Sequence, residues 1–126
     1  MADAEHIERV FARYAAAMAA NDFDGAAALF APDAVVRDPI DAVPLEGREQ
    51  IRGFFAAGAG VLCGFELTGP VRIAGDGTRA AAPLRARLDV GDTAKTLDSI
   101  DVMAFDDAGL IASMDAYYGP GNLHDA

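Results

Sequence analysis

The sequence predicts an α+β fold, with N-terminal helices packed into a curved antiparallel sheet that encloses an apolar pocket. Three observations predict it. Apolar residues recur at helical spacing through the first third of the chain. From about residue 65 onward the period changes to two. The strand segments follow the helices as a block instead of alternating with them, which separates α+β from parallel α/β architectures.

Ile7, Val10, Phe11, Tyr14 and Met18 place one face of a helix over about residues 3–20, and Asn21-Asp22 breaks it. Asp22 or Asp24 can cap a shorter second helix burying Phe23, Ala27 and Phe30, with Pro32-Asp33 as its end. Ala34 to Asp38 reads as a short strand, and Pro39 biases Asp38 toward extended backbone. Residues 40–46 read as a loop. Gly47 to about Ala57 reads as a third helix with Ile51, Phe54 and Phe55 inward. Strands follow at Phe65–Leu67 and Val71–Ala74, then a Gly75-Asp76-Gly77 turn. From Pro83, Leu84, Ala86, Leu88 and Val90 alternate with Arg85, Arg87 and Asp89. A strand over about Ala94–Phe105 and the turn Asp106–Gly109 come next. The last strand sets Leu110, Ala112, Met114, Ala116 and Tyr118 against Ile111, Ser113, Asp115 and Tyr117. Gly119-Pro120-Gly121 begins a short tail.

A chain of 126 residues is expected to form one domain over 1–126, large enough to bury roughly two-thirds of its surface around a core and a pocket. The net charge of −10 argues against nucleic acid and against an anionic membrane surface, and favours a neutral ligand. No apolar run reaches the ~20 residues of a membrane span, and the acidic start lacks the pattern of a signal peptide, so a cytoplasmic location is expected. Cys63 is the single cysteine, read as a small core residue. His6 and His124 lie near opposite ends, so no clustered metal ligands are apparent. There is no G-x-S-x-G elbow, and Gly75-Asp76-Gly77 does not open a helix as a nucleotide loop would.

Three polar residues occupy positions where the pattern calls for apolar ones. Tyr14 sits on the buried stripe of the first helix. Asp38 ends a strand on the face of Val36. Asp101 shares a face with Leu97, Ser99, Met103 and Phe105. A hydrophobic interior does not accept such groups unless they are paired, neutralised or used. Each has a structural alternative. Tyr14 as a core tyrosine would bond a backbone carbonyl, Asp38 as a turn residue would bond its own backbone, and a shift of register would expose Asp101. If Asp101 does face a cavity, desolvation keeps its carboxyl protonated and makes it a donor. A curved sheet closed at one end by the first helix makes a conical cavity of the kind that binds small molecules.

Tyr14, the stretch Val35-Val36-Arg37-Asp38-Pro39 and Ile100-Asp101 resemble the bacterial Δ5-3-ketosteroid isomerases. So do Arg13-Tyr14-Ala15-Ala16-Ala17, Asp22-Phe23-Asp24-Gly25 with Ala28-Leu29-Phe30-Ala31, Ile51-Arg52, Glu66-Leu67-Thr68, and Ser113-Met114 with Gly119 and Asn122. The likeness covers nearly the whole chain. It implies the NTF2-like (SnoaL-like) cone, on which function varies widely. It implies Asp38 as the base that carries a proton from steroid C4 to C6, and Tyr14 and protonated Asp101 as donors to the C3 oxygen. Ketosteroid isomerase is itself the standard example of a carboxylic acid kept neutral for that purpose. The same resemblance implies Met18, Phe55, Leu88, Met103, Met114, Ala116 and Tyr118 as walls for an apolar steroid-like substrate, no metal or cofactor, and a homodimer.

The chain departs from the family at three positions. Phe30 and Phe55 stand where some relatives have tyrosines supporting the oxyanion tyrosine, and Ser99 stands at the usual proline. Two other functions fit the same cone. A SnoaL-like polyketide cyclase or epoxide hydrolase would want an Asp-Arg-Asp cluster, but Arg37 alternates away from Asp38. A non-catalytic small-molecule-binding module would need an apolar cavity but not these three polar groups together.

Overall fold

The computed structural model describes residues 3–126. Helix α1 (Ala4–Ala19) buries Ile7, Val10, Phe11, Tyr14 and Met18 along one stripe, and the Asp3 carboxylate caps it by accepting from the His6 backbone N–H at 2.8 Å. Asn21 adopts φ +56°, a left-handed turn that asparagine tolerates, and leads into α2 (Phe23–Ala27). Of the two candidate caps it is Asp22 that serves, accepting from Gly25 N–H at 2.9 Å. The second helix is shorter than its sequence suggests. Phe23 is only partly buried, and Phe30 opens strand β1 (Phe30–Arg37) instead of closing the helix. Pro32-Asp33 therefore lies within the strand. There the pairing register shifts between Phe30 and Val35, a place where a residue without an N–H is tolerated.

Strand β2 (Leu45–Glu46) pairs antiparallel with β1, inside the stretch expected as loop. Helix α3 (Arg48–Ala57) buries Ile51 and Phe55, while Phe54, expected inward, is 40% exposed. The remaining strands are β3 (Leu62–Leu67), β4 (Arg72–Ile73), β5 (Arg79–Val90), β6 (Thr93–Phe105), β7 (Ile111–Tyr117) and β8 (Leu123–Asp125). The sheet runs β2-β1-β7-β6-β5-β3, with β4 added to β5 and β8 to β6. It is mixed, not purely antiparallel, because β1 and β7 run parallel. Parallel neighbours cannot be joined by a hairpin, and here the whole of residues 38–110 forms the connection.

The β5–β6 ladder is continuous from Arg79↔Ala104 to Val90↔Thr93, so it fixes which side chains face the core. Ala80, Ala82, Leu84 and Ala86 of β5 are buried, as are Asp101, Met103 and Phe105 of β6. Val90, expected on the inner face, lies at the projecting end of the hairpin and is 50% exposed. Strand β7 does not alternate without interruption. Its pairing jumps from Ala104↔Ser113 to Phe105↔Ile111, so Ala112 is an extra residue and Ile111 turns fully inward. A second irregularity corrects the reading of Cys63. Pairing passes from Leu62↔Leu88 to Gly64↔Arg87, and the bulged Cys63 is exposed, its thiol donating to the Arg87 carbonyl at 3.3 Å. The tail is also more ordered than expected, because β8 pairs with Lys95–Leu97. No helix among the described residues is long and apolar enough to cross a membrane.

Met103 and Met114 sit opposite one another in the β6–β7 register and are fully buried. They pack in one core cluster with Ile7, Val10, Phe11, Phe105 and Ile111. Met103→Ala should therefore cost about 2–5 kcal/mol, read as a lower urea midpoint at unchanged m-value. A loss below about 1 kcal/mol would place Met103 at a wall that can relax, not in a packed core.

Candidate active site

The structure brings Tyr14, Asp38 and Asp101 to one cavity of about 380 Å³. Tyr14 arrives from α1, one turn before Met18, which lines the same space. Asp38 follows the last residue of β1, and its peptide bond to Pro39 is cis. Ile40 N–H then donates to the Ala116 carbonyl at 2.8 Å, which ties the loop carrying Asp38 to β7. Asp101 sits mid-strand in β6, in register with Ala82 on one side and Ala116 on the other. Two methyl groups leave room beside the carboxyl and offer it no polar partner.

Tyr118, Phe55, Leu88 and Ala116 also line this cavity. Met103 and Met114 do not: strand alternation gives the correct face, but both lie farther toward the packed end of the cone than Asp101 and Ala116. The wall also includes residues that sequence reasoning missed. Phe54, Ala57, Gly58 and Val61 come from the end of α3 and the following turn, Leu62 and Phe65 from β3, Ala86 from β5, and Leu97 and Ser99 from β6. Ala86, Leu97 and Ser99 could have been found, since they share faces with Leu88 and Asp101. The segment after α3 carries no periodic signal.

The cavity is apolar apart from five groups: Tyr14, Asp38, Ser99, Asp101 and Tyr118. Among the described residues, no Lys, Arg or His lines it. The Tyr14 ring packs against three phenylalanines, with centroids 6.1 Å away for Phe30, 5.9 Å for Phe55 and 5.7 Å for Phe65. Phe30 and Phe55, the two positions noted as departures from the ketosteroid isomerases, thus lie beside Tyr14 and offer it no hydroxyl. Arg37 lies away from the cavity, with its guanidinium 3.6 Å from the Asp115 carboxylate.

Burial raises the Tyr14 phenol well above its ordinary range, and the Asp101 and Asp38 carboxyls add to the effect. Burial, and secondarily the charge on Asp38, pushes the Asp101 carboxyl up to about 8. Burial also raises Asp38, but a hydrogen bond that sequence reasoning missed opposes it: the Tyr118 hydroxyl donates to Asp38 Oδ1 at 2.7 Å. Tyr118 is therefore not the purely apolar wall expected of it. No protein hydrogen bond among the described residues engages the Tyr14 hydroxyl or the Asp101 carboxyl. The arrangement combines Asp38, whose carboxyl accepts from Tyr118, with two buried and unengaged donors, Tyr14 and neutral Asp101, in one apolar cavity.

This fold and this arrangement define a class. Residues 11–114 match the SnoaL-like domain family. The chain belongs to that family. It is 38% identical to the Steroid Delta-isomerase of Nocardioides simplex over 117 residues, 93% of each chain. The structure also superposes along its full length on the full length of the epoxide hydrolase/cyclase-like enzyme SalBIII, described as acting in pyran ring formation in the polyether salinomycin. That pair has a TM-score of 0.88 at 25% identity.

The neutral state of Asp101 has a measurable sign. An unfolded carboxyl titrates near ~3.9, and the folded one near 8. Between those values the folded chain keeps a proton that the unfolded chain has released. The contribution of Asp101 to stability is thus complete below ~3.9 and falls as pH rises toward 8, by up to ~1.4 kcal/mol per pH unit. Asp101→Asn should match the wild type near pH 4 and exceed it in stability near pH 8. Equal stability of the two at pH 8 would mean that Asp101 ionises as freely as a surface aspartate.

Proposed function

We propose that this chain is a cofactor-independent isomerase that moves the double bond of a 3-oxo-Δ5-steroid, or a similar unconjugated enone, into conjugation. One observation carries the reading: the Asp38 carboxyl acceptor and two buried, unengaged donors, Tyr14 and Asp101, face the same apolar cavity of about 380 Å³. The kinship with a steroid isomerase over 93% of the chain supports it.

In this reading Asp38 removes a proton from C4. The C–H electron pair delocalises through the adjacent double bond and the C3 carbonyl as a dienolate. The same proton returns at C6, which leaves the double bond at the 4,5 position. Tyr14 and Asp101 donate to the C3 oxygen, where negative charge develops. Donors fixed in a water-free site stabilise that charge more than water would. The apolar walls favour a neutral, lipophilic substrate. A homodimer, on the resemblance alone, and a cytoplasmic location, on the acidic start and the lack of a long apolar run, complete the reading.

The close superposition on an epoxide hydrolase/cyclase-like enzyme favours a second reading. Two carboxyls, one neutral and one ionised, can also open an epoxide, the first protonating its oxygen and the second activating a nucleophile.

With 5-androstene-3,17-dione, the protein should produce the ultraviolet absorbance of a conjugated enone. No acceleration over buffer at micromolar protein would remove the steroid reading, and epoxide turnover would then install the second.

Asp38→Asn should fold normally and lose about 10²–10⁴ in kcat, the worth of a general base. Tyr14→Phe and Asp101→Leu should each lose about 10²–10³, as for one oxyanion donor. The double variant should lose less than the product of the two, because both donors serve one oxygen. Strictly multiplicative losses would assign the two residues to separate sites.

A further inference from the structure

Tyr118 follows the last residue of β7 and reaches into the cavity from the side of Asp38. Its hydroxyl donates to Asp38 Oδ1 at 2.7 Å. Asp101 has no equivalent partner, since alanines flank it on both neighbouring strands. Other titratable groups reach this space from few directions: Tyr14 from α1, Asp101 from β6, and Asp41, which acts on Tyr118 from the loop after Asp38. Helix α3 and strands β3 and β5 contribute only apolar side chains and the glycine Gly58 at the end of α3. Among the described residues, Tyr118 is thus the one side chain that donates a hydrogen bond to either cavity carboxyl.

We propose that the Tyr118 hydroxyl widens the difference between the two carboxyls that their unequal burial begins, favouring Asp38 as the anion and Asp101 as the neutral donor. Two carboxyls in one apolar space do not both ionise readily, so the first proton leaves the group whose anion is better stabilised. Asp38 is the less buried of the two, and the hydrogen bond from Tyr118 stabilises its anion further. Burial is the main reason that Asp101 holds its proton, and the charge on Asp38 adds to it. Burial and the neighbouring carboxylates raise Tyr118 itself, so it stays a donor across the working range. The bond also takes up one carboxylate oxygen and ties the side chain to the end of β7. Tyr118 is therefore a positioning residue, acting through Asp38. The kinetic part of this inference rests on the isomerase reading, but the ordering of charge does not.

The full-length protein, labelled with ¹³C at the aspartate carboxyl carbons, is titrated by NMR without ligand, with resonances assigned through Asp38→Asn and Asp101→Asn. In Tyr118→Phe, the midpoint of Asp38 should rise by about one pH unit, the worth of a hydrogen bond to a charged group. The midpoint of Asp101 should fall, narrowing the gap between them. Site-specific 3-chlorotyrosine at position 118 has a more acidic hydroxyl and should shift Asp38 the opposite way. It also keeps the inference testable should the phenylalanine variant fold poorly. If the isomerase reading holds, the acid limb of kcat/KM should move with the Asp38 midpoint in both variants, with only a few-fold change on the plateau. Unmoved midpoints in both variants overturn the inference, as does a uniform loss of rate at every pH with wild-type titrations. Shifted midpoints in a protein that does not isomerise the steroid would sustain the ordering of charge and remove the isomerase reading alone.

Discussion

Asp101 is held mid-strand between two alanines, in a cavity where, among the described residues, no cation lines the wall and no donor engages its carboxyl. A carboxylate there would lose its water and gain nothing in exchange, a penalty large enough that the group keeps its proton instead. Protonation turns the defect into a hydrogen-bond donor. The rest of the cavity is consistent with that condition. Tyr14 is walled in by three aromatic rings, so its phenol also stays neutral. Arginine residues occur on the outer face of the sheet, where Arg37 meets Asp115 and Arg85 meets Asp98. A cation inside would favour the ionised form of Asp101 and remove a donor.

The fold keeps these groups on rigid elements. Tyr14 and Asp101 project from the interior of a helix and of a thirteen-residue strand, and Asp38 sits one residue past a strand that is paired on both sides. The parallel pairing of β1 with β7 brings the end of β1 beside Ala116 and Tyr118, which explains how residues 80 positions apart share a hydrogen bond. Regular antiparallel pairing between chain neighbours would have kept them apart. The bulge at Ala112 serves the core in the same strand. It lets both Ile111 and Met114 face inward, which strict alternation forbids.

The three polar residues were legible because each breaks a periodicity that its neighbours obey, and a violation of pattern survives small errors in element boundaries. Depth along the cone was not legible. Alternation places Met103 on the face of Asp101 but cannot say that two residues farther along the strand the cavity has given way to packed core. The bulges were hidden for a related reason, since an extra residue leaves composition unchanged and shows only against the partner strand. Cys63, read as a small core residue for want of an activating neighbour, sits exposed at one of them. Tyr118 was placed on the correct wall but read as apolar, because its hydroxyl meets a partner far away in sequence. Strand β8 is three exposed residues long and leaves no pattern to detect.

Kinship and shape point to two chemistries, a steroid isomerase by sequence and an epoxide hydrolase/cyclase-like enzyme by superposition. The cone alone does not choose between them, because either could use a pair of carboxyls in an apolar chamber. The choice lies in how protons are distributed. Epoxide opening by attack of water needs an acid and a base on opposite sides of the reacting carbon, with space for the water between them. Double-bond migration needs a base that receives a proton and gives the same one back, with fixed donors on the oxygen that becomes charged. Tyr14 and Asp101 are both unengaged donors, whereas Asp38 is an acceptor anchored by Tyr118 through one oxygen. Paired donors suit one developing oxyanion better than a single protonation event. On that physical ground the isomerase is the reading we prefer.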